Sequence, residues 1–181
     1  MKVLIDACVL FPTVLRELVL SHAGTGAFQP LWSERILEEW RRAALRLSER
    51  DGMIAEAEIV MAKTRFPDAM VATTEATQDR LHLPDPDDTH VLAAAVDGGA
   101  DELLTLNLKD FPTRALSAEG VLRRDPDNFL LEAFHEDPDG IARIVAEVLA
   151  RAAAHGIDTS DQRRILKKAR LPRLAKALQQ R

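Results

Sequence analysis

The chain has no tyrosine, a single cysteine, and aromatic residues at only 4% of its 181 positions. One cysteine, Cys8, excludes an intramolecular disulfide framework and suits a reducing cytosol. Its setting, Ala7-Cys8-Val9-Leu10, marks it as a small apolar side chain rather than a nucleophile. Scarce aromatics argue against extensive stacking on nucleic-acid bases. No run approaches the ~20 apolar residues that span a bilayer. Asp6 interrupts the apolar stretch that follows Met1-Lys2, so a signal peptide is not expected either. The expectation is a soluble, cytoplasmic protein with no membrane partner. Internal repeats and low-complexity linkers are also missing, and the five histidines have no metal-ligand spacing. His90 is expected on a helix surface.

What is present is a split in charge. From Asp161 to Arg181 eight bases stand against Asp161 alone, a charge of +7. The net charge of the whole chain is −5, so residues 1–160 carry −12. Body and tail are expected to have different partners, or the tail is a solvated helix face. Ile165, Ala169, Leu174 and Leu178 give that tail apolar positions suited to packing.

The order of elements points to an α/β fold with a mostly parallel central sheet. Lys2-Val3-Leu4-Ile5 reads as a strand and Thr13–His22 as a helix. A short strand follows over Ala27–Trp32. Ser33 is a good N-cap for a helix through Leu47, with acids early and bases late, as the helix dipole favours. Asp51 is the expected cap of a helix over Met53–Phe66, whose apolar face includes Ile54, Ala57, Val60 and Met61. A brief strand over 69–71, a helix over Asp88–Val96, and strands over Leu103–Leu106 and Gly120–Arg123 complete the alternation. Beyond Asp125-Pro126-Asp127 only helices are expected: 128–135, 138–155, 160–169 and 172–180. The division is a domain over 1–126 and an all-helical C-terminal extension over 127–181.

Acids recur where strands end and helices start. Asp6 closes the first strand, Asp85, Asp87 and Asp88 open a helix, and Asn107 and Asp110 follow the strand at 103–106. In an open α/β sheet the carboxyl ends of the strands face one crevice, so these groups should meet. Two carboxylates ~4 Å apart repel by roughly 4 kcal/mol at an effective dielectric of ~20. Such a cluster must bind cations, take up protons or separate. Oxygen donors suit Mg²⁺ or Mn²⁺. Each residue has a plainer role: Asp87 or Asp88 as an N-cap, Glu38 and Glu39 as solvated helix acids, Asn107 and Asp110 as turn residues.

Four stretches together resemble the motifs of PIN domains. They are Met1–Leu10, Glu38-Glu39-Trp40, Leu83–Ala95 with its Pro-Asp-Pro-Asp-Asp, and Leu104–Pro112. They cover roughly residues 1–125, in order, and look most like the PIN branch of bacterial VapC-type toxins. The helical segment from about 127 resembles the extension carried by some of these toxins. The resemblance implies a PIN-like three-layer fold and a Mg²⁺- or Mn²⁺-dependent endoribonuclease. It implies Asp6, Glu39 and Asp88 as core acids; Asp110 is added as a fourth catalytic candidate, and the same four with Asn107 are the candidate metal ligands. Glu39 is chosen over Glu38 from the match to the family's acidic helix. Asn107 departs from the pattern, because many PIN domains have Asp there; Asp110 can restore the charge. The implied partners are an RNA substrate and a cognate antitoxin, with a homodimer as one assembly. Thr105, Lys109 and Arg35 are candidate substrate contacts, and Arg16 is a further base considered for RNA.

Two other classes compete. A PIN fold that holds RNA or protein without cutting would have lost its acids, and this chain keeps them. An aspartyl phosphatase needs a second Asp two positions after the first, where Cys8 stands. A phosphorylated receiver would carry its Asp on the third strand rather than the first.

Overall fold

A computed structural model describes residues 1–180. Five parallel strands form the central sheet: β1 (Lys2–Ile5), β2 (Gln29–Ser33), β3 (Met70–Val71), β4 (Glu102–Leu104) and β5 (Leu122–Arg124), in the order β3-β2-β1-β4-β5. The fold is mixed α/β, as the alternation of elements required. Val3, Leu4 and Ile5 of β1 and Leu103 and Leu104 of β4 are fully buried, which is the apolar run that a central parallel strand needs. β1 pairs with β2 on one side and β4 on the other, with Leu4 opposite both Leu31 and Leu103. The strand order therefore reverses at β1. That is the topological switch point, where α/β sheets open a crevice beyond the strands' carboxyl ends.

The helices are α1 (Ala7–Leu10), α2 (Thr13–Ala23), α3 (Glu34–Leu45), α4 (Glu49–Arg65), α5 (Glu75–Arg80), α6 (Thr89–Asp97), α7 (Thr113–Ala118), α8 (Pro126–Glu136), α9 (Pro138–Ala154), α10 (Gln162–Lys168) and α11 (Pro172–Gln179). The short helices α1, α5 and α7 have no counterpart in the sequence pattern, since four to six residues carry too little periodicity to register. No helix of the described residues is long and apolar enough to cross a membrane.

Ser33 caps α3 as expected, its side chain accepting from the Ile36 N–H at 3.3 Å. The cap of α4 is Ser48 rather than Asp51. Its hydroxyl accepts from the Asp51 N–H at 3.0 Å and donates to the Asp51 carboxylate at 2.6 Å. The helix thus starts a turn earlier than predicted. Its burial is also inverted. Met53, Ile54, Val60 and Met61 are exposed, while Gly52, Ala55 and Ala62 are buried. Close approach to α3 explains this: a Cβ on Gly52 would stand 3.0 Å from Leu45 Cδ1, so only small residues fit on that side.

The chain falls into two compact units. One is Met1–Phe11 with Phe28–Arg123; the other is Pro12–Ala27 with the chain from Arg124 onward. Helix α2 thus belongs to the second unit, where it packs on α9, whereas a boundary at 126 puts residues 13–22 in the first domain. Within the second unit α8 packs on α9 and α11, and α10 packs on α11. Ile165, Leu166, Ala169, Leu171, Leu174 and Ala175 are buried, so the tail is not a free solvated helix.

Asp127 holds that tail in place. It is buried, and its two carboxylate oxygens accept from the backbone N–H groups of Arg173 and Leu174 at 2.9 and 3.0 Å. Leu171, the residue before α11, has no side-chain oxygen to cap it, so an acid from α8 does so. Removing the carboxylate strands two amide donors. Asp127→Ala is expected to cost about 1–3 kcal/mol of stability, and Asp127→Asn less, since an amide oxygen still accepts. Urea unfolding checks this; an unchanged midpoint for Asp127→Ala would show that the cap contributes nothing.

Candidate metal centre

β1 ends at Ile5, and the backbone N–H of Asp6 still reaches Leu104 O of β4, at 3.0 Å. The sheet therefore delivers Asp6 to the same edge as Thr105. The Thr105 hydroxyl, fully buried, donates to Asp6 Oδ2 at 2.6 Å, and the Cys8 thiol donates to the same oxygen at 3.0 Å. Burial and the Asp6 charge push the Cys8 thiol up to about 12, so it stays protonated and acts as a donor. Thr105 in turn accepts from the Asn107 N–H at 2.9 Å, and Asn107 Nδ2 donates to Asp88 Oδ2 at 2.9 Å. A continuous chain of hydrogen bonds thus links the ends of β1 and β4 to the start of α6.

Asp85, Asp88 and Asp110 each place a carboxylate oxygen within 4.8 Å of the others. Asp88 is pushed up to about 6, first by partial burial and then by the charges of Asp6, Asp85, Asp110 and Glu39. Four acids therefore act on Asp88 at this edge. Lys109 is the base beside them, but its Nζ lies 3.9 Å from Asp110 on a side chain that is 85% exposed, a loose and screened pairing.

Three of the acids have one carboxylate oxygen held by a hydrogen bond. Asp6 and Asp88 use Oδ2 as described, and Asp85 accepts the Asp87 N–H on Oδ1 at 3.0 Å. Glu39 Oε1 faces His90 Nε2 at 2.7 Å and Arg35 Nε at 3.5 Å. This donor set consists of hard, negatively charged oxygens, opposed by Arg35 at Glu39 and loosely by Lys109 at Asp110, and it fits a divalent cation such as Mg²⁺ or Mn²⁺.

The two glutamates at 38 and 39 have different partners. Glu38 forms short bonds to Arg41 and Arg42, which hold its carboxyl down at about 2. Glu39, next along the helix, approaches His90, and its charge is felt at Asp88.

Three expectations need correction. His90 is not on a helix surface: it is buried against Glu39, because α6 is apolar around its whole circumference. Thr105 is not exposed to substrate; its hydroxyl is committed to Asp6. Arg16 is buried in the second unit and is no solvent-facing base. Arg35 remains half exposed and donates to Asp87 O at 3.3 Å. Asp85 reads as a turn residue from its sequence position alone; its place in the triad depends on the fold. The Pro-Asp-Pro-Asp-Asp repetition is the signal that could have marked it.

A family model described as PIN domain matches residues 2–109, more than half of the chain. The protein belongs to the PIN-domain family. Proteins of this family are generally nucleases and commonly use divalent metals. No curated protein and no solved structure matches the chain. In this PIN domain the matched stretch includes Asp6, Glu39, Asp85, Asp88, Asn107 and Lys109 and stops one residue short of Asp110.

The raised Asp88 carboxyl has a consequence for stability. A carboxyl whose folded pKa lies above its unfolded value of 3.8 favours the fold only while protonated. Its contribution is full below the unfolded value and is lost as pH rises through about 6. In chelator, Asp88→Asn is therefore expected to melt above wild type at about pH 7, with the gap closing toward about pH 4. Melting temperatures of both proteins across that range decide it; parallel curves would mean that Asp88 feels no net repulsion.

Proposed function

We propose that this PIN-domain protein is a divalent-metal-dependent endoribonuclease and the VapC-type toxin of a toxin–antitoxin pair. The observation that carries the nuclease reading is the Asp85–Asp88–Asp110 cluster, with Asp6 and Glu39 close enough to raise Asp88. A PIN fold that only held RNA or protein would gain nothing from this repulsion. The toxin assignment rests on the resemblance of the four motifs to that branch of the family.

Asp6, Glu39, Asp88 and Asp110 are proposed to hold the ion, with Asn107 as a neutral neighbour and Asp85 as an additional acid. Bound there, Mg²⁺ or Mn²⁺ would offset the charge of the scissile phosphate and make water a better nucleophile. The chain's own residues orient the donors. Thr105 and Cys8 fix Asp6 by one oxygen, Asn107 does the same for Asp88, and His90 Nε2 stands 2.7 Å from Glu39 Oε1. Lys109 and Arg35 are proposed to meet the RNA backbone at the rim, since both are solvent-accessible bases beside the acids. The functional division is a nuclease domain over 1–126 and a helical extension over 127–181.

Purified protein incubated with total RNA in Mg²⁺, in Mn²⁺ and in chelator tests the activity, and growth arrest relieved by the cognate antitoxin tests the toxin assignment. Asp6→Asn and Asp88→Asn are each expected to lower the rate by more than the roughly 10–100-fold typical of residues that only support a metal ligand. His90→Gln should fall within that supporting range. Full activity in a folded Asp6 or Asp88 variant would refute the assignment.

The two residues after β4 are expected to differ. Asp110→Ala should slow metal-dependent cleavage more than Asn107→Ala, because only Asp110 brings a formal charge to the cluster. The opposite ranking in matched rate measurements would move the metal toward Asn107.

A further inference from the structure

The tail helices α10 and α11 have an apolar side that is already used and a basic side that is not. Arg163, Lys167, Lys168, Arg170 and Lys176 are exposed, and none makes an ion pair or side-chain hydrogen bond among the described residues. Neither helix contains an acid, and three aspartates of the same unit are committed elsewhere. Asp161 caps α10 by accepting from the Arg164 N–H at 2.9 Å, Asp127 caps α11, and Asp158 pairs with Arg164 at 3.4 Å.

Helix formation alone does not favour this arrangement. Arg163 and Arg164 lie in the first turn of α10, and Arg173 lies in the first turn of α11, where the helix dipole disfavours a base. Arg163 and Lys167, and likewise Arg164 and Lys168, are like charges four residues apart on one helix face, a spacing that is also destabilising. The dipole accounts for Lys167, Lys168 and Lys176, which sit in last turns. It does not account for the rest.

We infer that the exposed face of α10 and α11 is a binding surface for the phosphate backbone of RNA. It deepens the endoribonuclease reading and rests on it for the choice of RNA. A polyanion supplies the counter-charge that these two helices lack, and releases condensed counterions as it binds. A protein partner fits less well. Interfaces of that kind centre on buried aromatic or apolar anchors. Among the described residues α10 and α11 expose no large apolar side chain, in contrast to Met53, Ile54, Val60 and Met61 on α4. The segment from Asp161 onward also has no aromatic residue, so bases cannot stack on it. The RNA is therefore held by its phosphates, which positions the strand without reading its sequence.

The test is binding rather than cleavage. Full-length protein in chelator is titrated into a labelled, unstructured single-stranded RNA at several salt concentrations. Arg163→Gln, Lys167→Gln, Lys168→Gln and Lys176→Gln are combined in one variant, which leaves the caps and the buried face intact. The combined variant is expected to bind at least tenfold more weakly at low salt. Its log–log salt slope should be shallower by about 0.7 for each phosphate that the protein no longer neutralises. A companion variant with the three lysines changed to arginine should keep both affinity and slope. Unchanged affinity and slope in the combined variant would overturn the inference, and so would weaker binding with an unchanged slope. Loss of antitoxin binding with RNA binding intact would assign the surface to a protein and equally overturn it. A failure of the nuclease reading reveals itself separately, as wild-type protein that cuts no RNA in Mg²⁺ or Mn²⁺ whatever its salt slope.

Discussion

Mutual repulsion among acids at the carboxyl edge of the sheet is the constraint around which this PIN domain is organised. Left to themselves, carboxylates so close would turn apart into water or take up protons. Here the Thr105 hydroxyl and the Cys8 thiol hold Asp6 from beneath, and the Asn107 amide holds Asp88. Each of these donors is neutral. They fix direction without cancelling charge, so the cluster keeps its field for a cation. An arginine in any of those places would have stabilised the apo fold and weakened the site.

Parallel topology makes such a meeting possible. Because every connection crosses over, all strands present their carboxyl ends to the same side, and the reversal of order at β1 opens a crevice between β1 and β4. Asp6 and Thr105, 99 residues apart in sequence, become hydrogen-bonded neighbours there. Helix geometry then separates the two glutamates of α3. One residue's rotation sends Glu38 to Arg41 and Arg42 and Glu39 to His90, so adjacent acids have unrelated surroundings.

The second unit handles charge in the opposite way. Four of its acids are spent on backbone: Asp125, Asp137 and Asp161 each cap the helix that follows them, and Asp127 caps α11 from a distance. The bases of α10 and α11 are left in water. An acidic edge repels a polyanion, and a basic surface elsewhere in the same chain offsets that repulsion. In the roles proposed here, the split of charge between body and tail answers to two different tasks, metal capture and strand capture.

Local chemistry determined much of this in advance. The alternation of apolar runs and amphipathic stretches specified a parallel α/β sheet. Strand-end and helix-start acids marked Asp6, Asp88 and Asp110, because a carboxylate at such a position is visible without knowing its neighbours. The Ser33 cap was legible for the same reason. Tertiary structure alone decided what depended on a partner from another element. Periodicity identified the apolar face of α4 but not whether it was buried, and the small side of the helix won because α3 approaches too closely for anything larger. His90 reads as a surface residue until α6 is enclosed and brings it to Glu39. Thr105 reads as available until the pairing of β1 with β4 spends its hydroxyl on Asp6. A sequence records what each side chain can do, whereas packing decides which groups come near enough for it to be done.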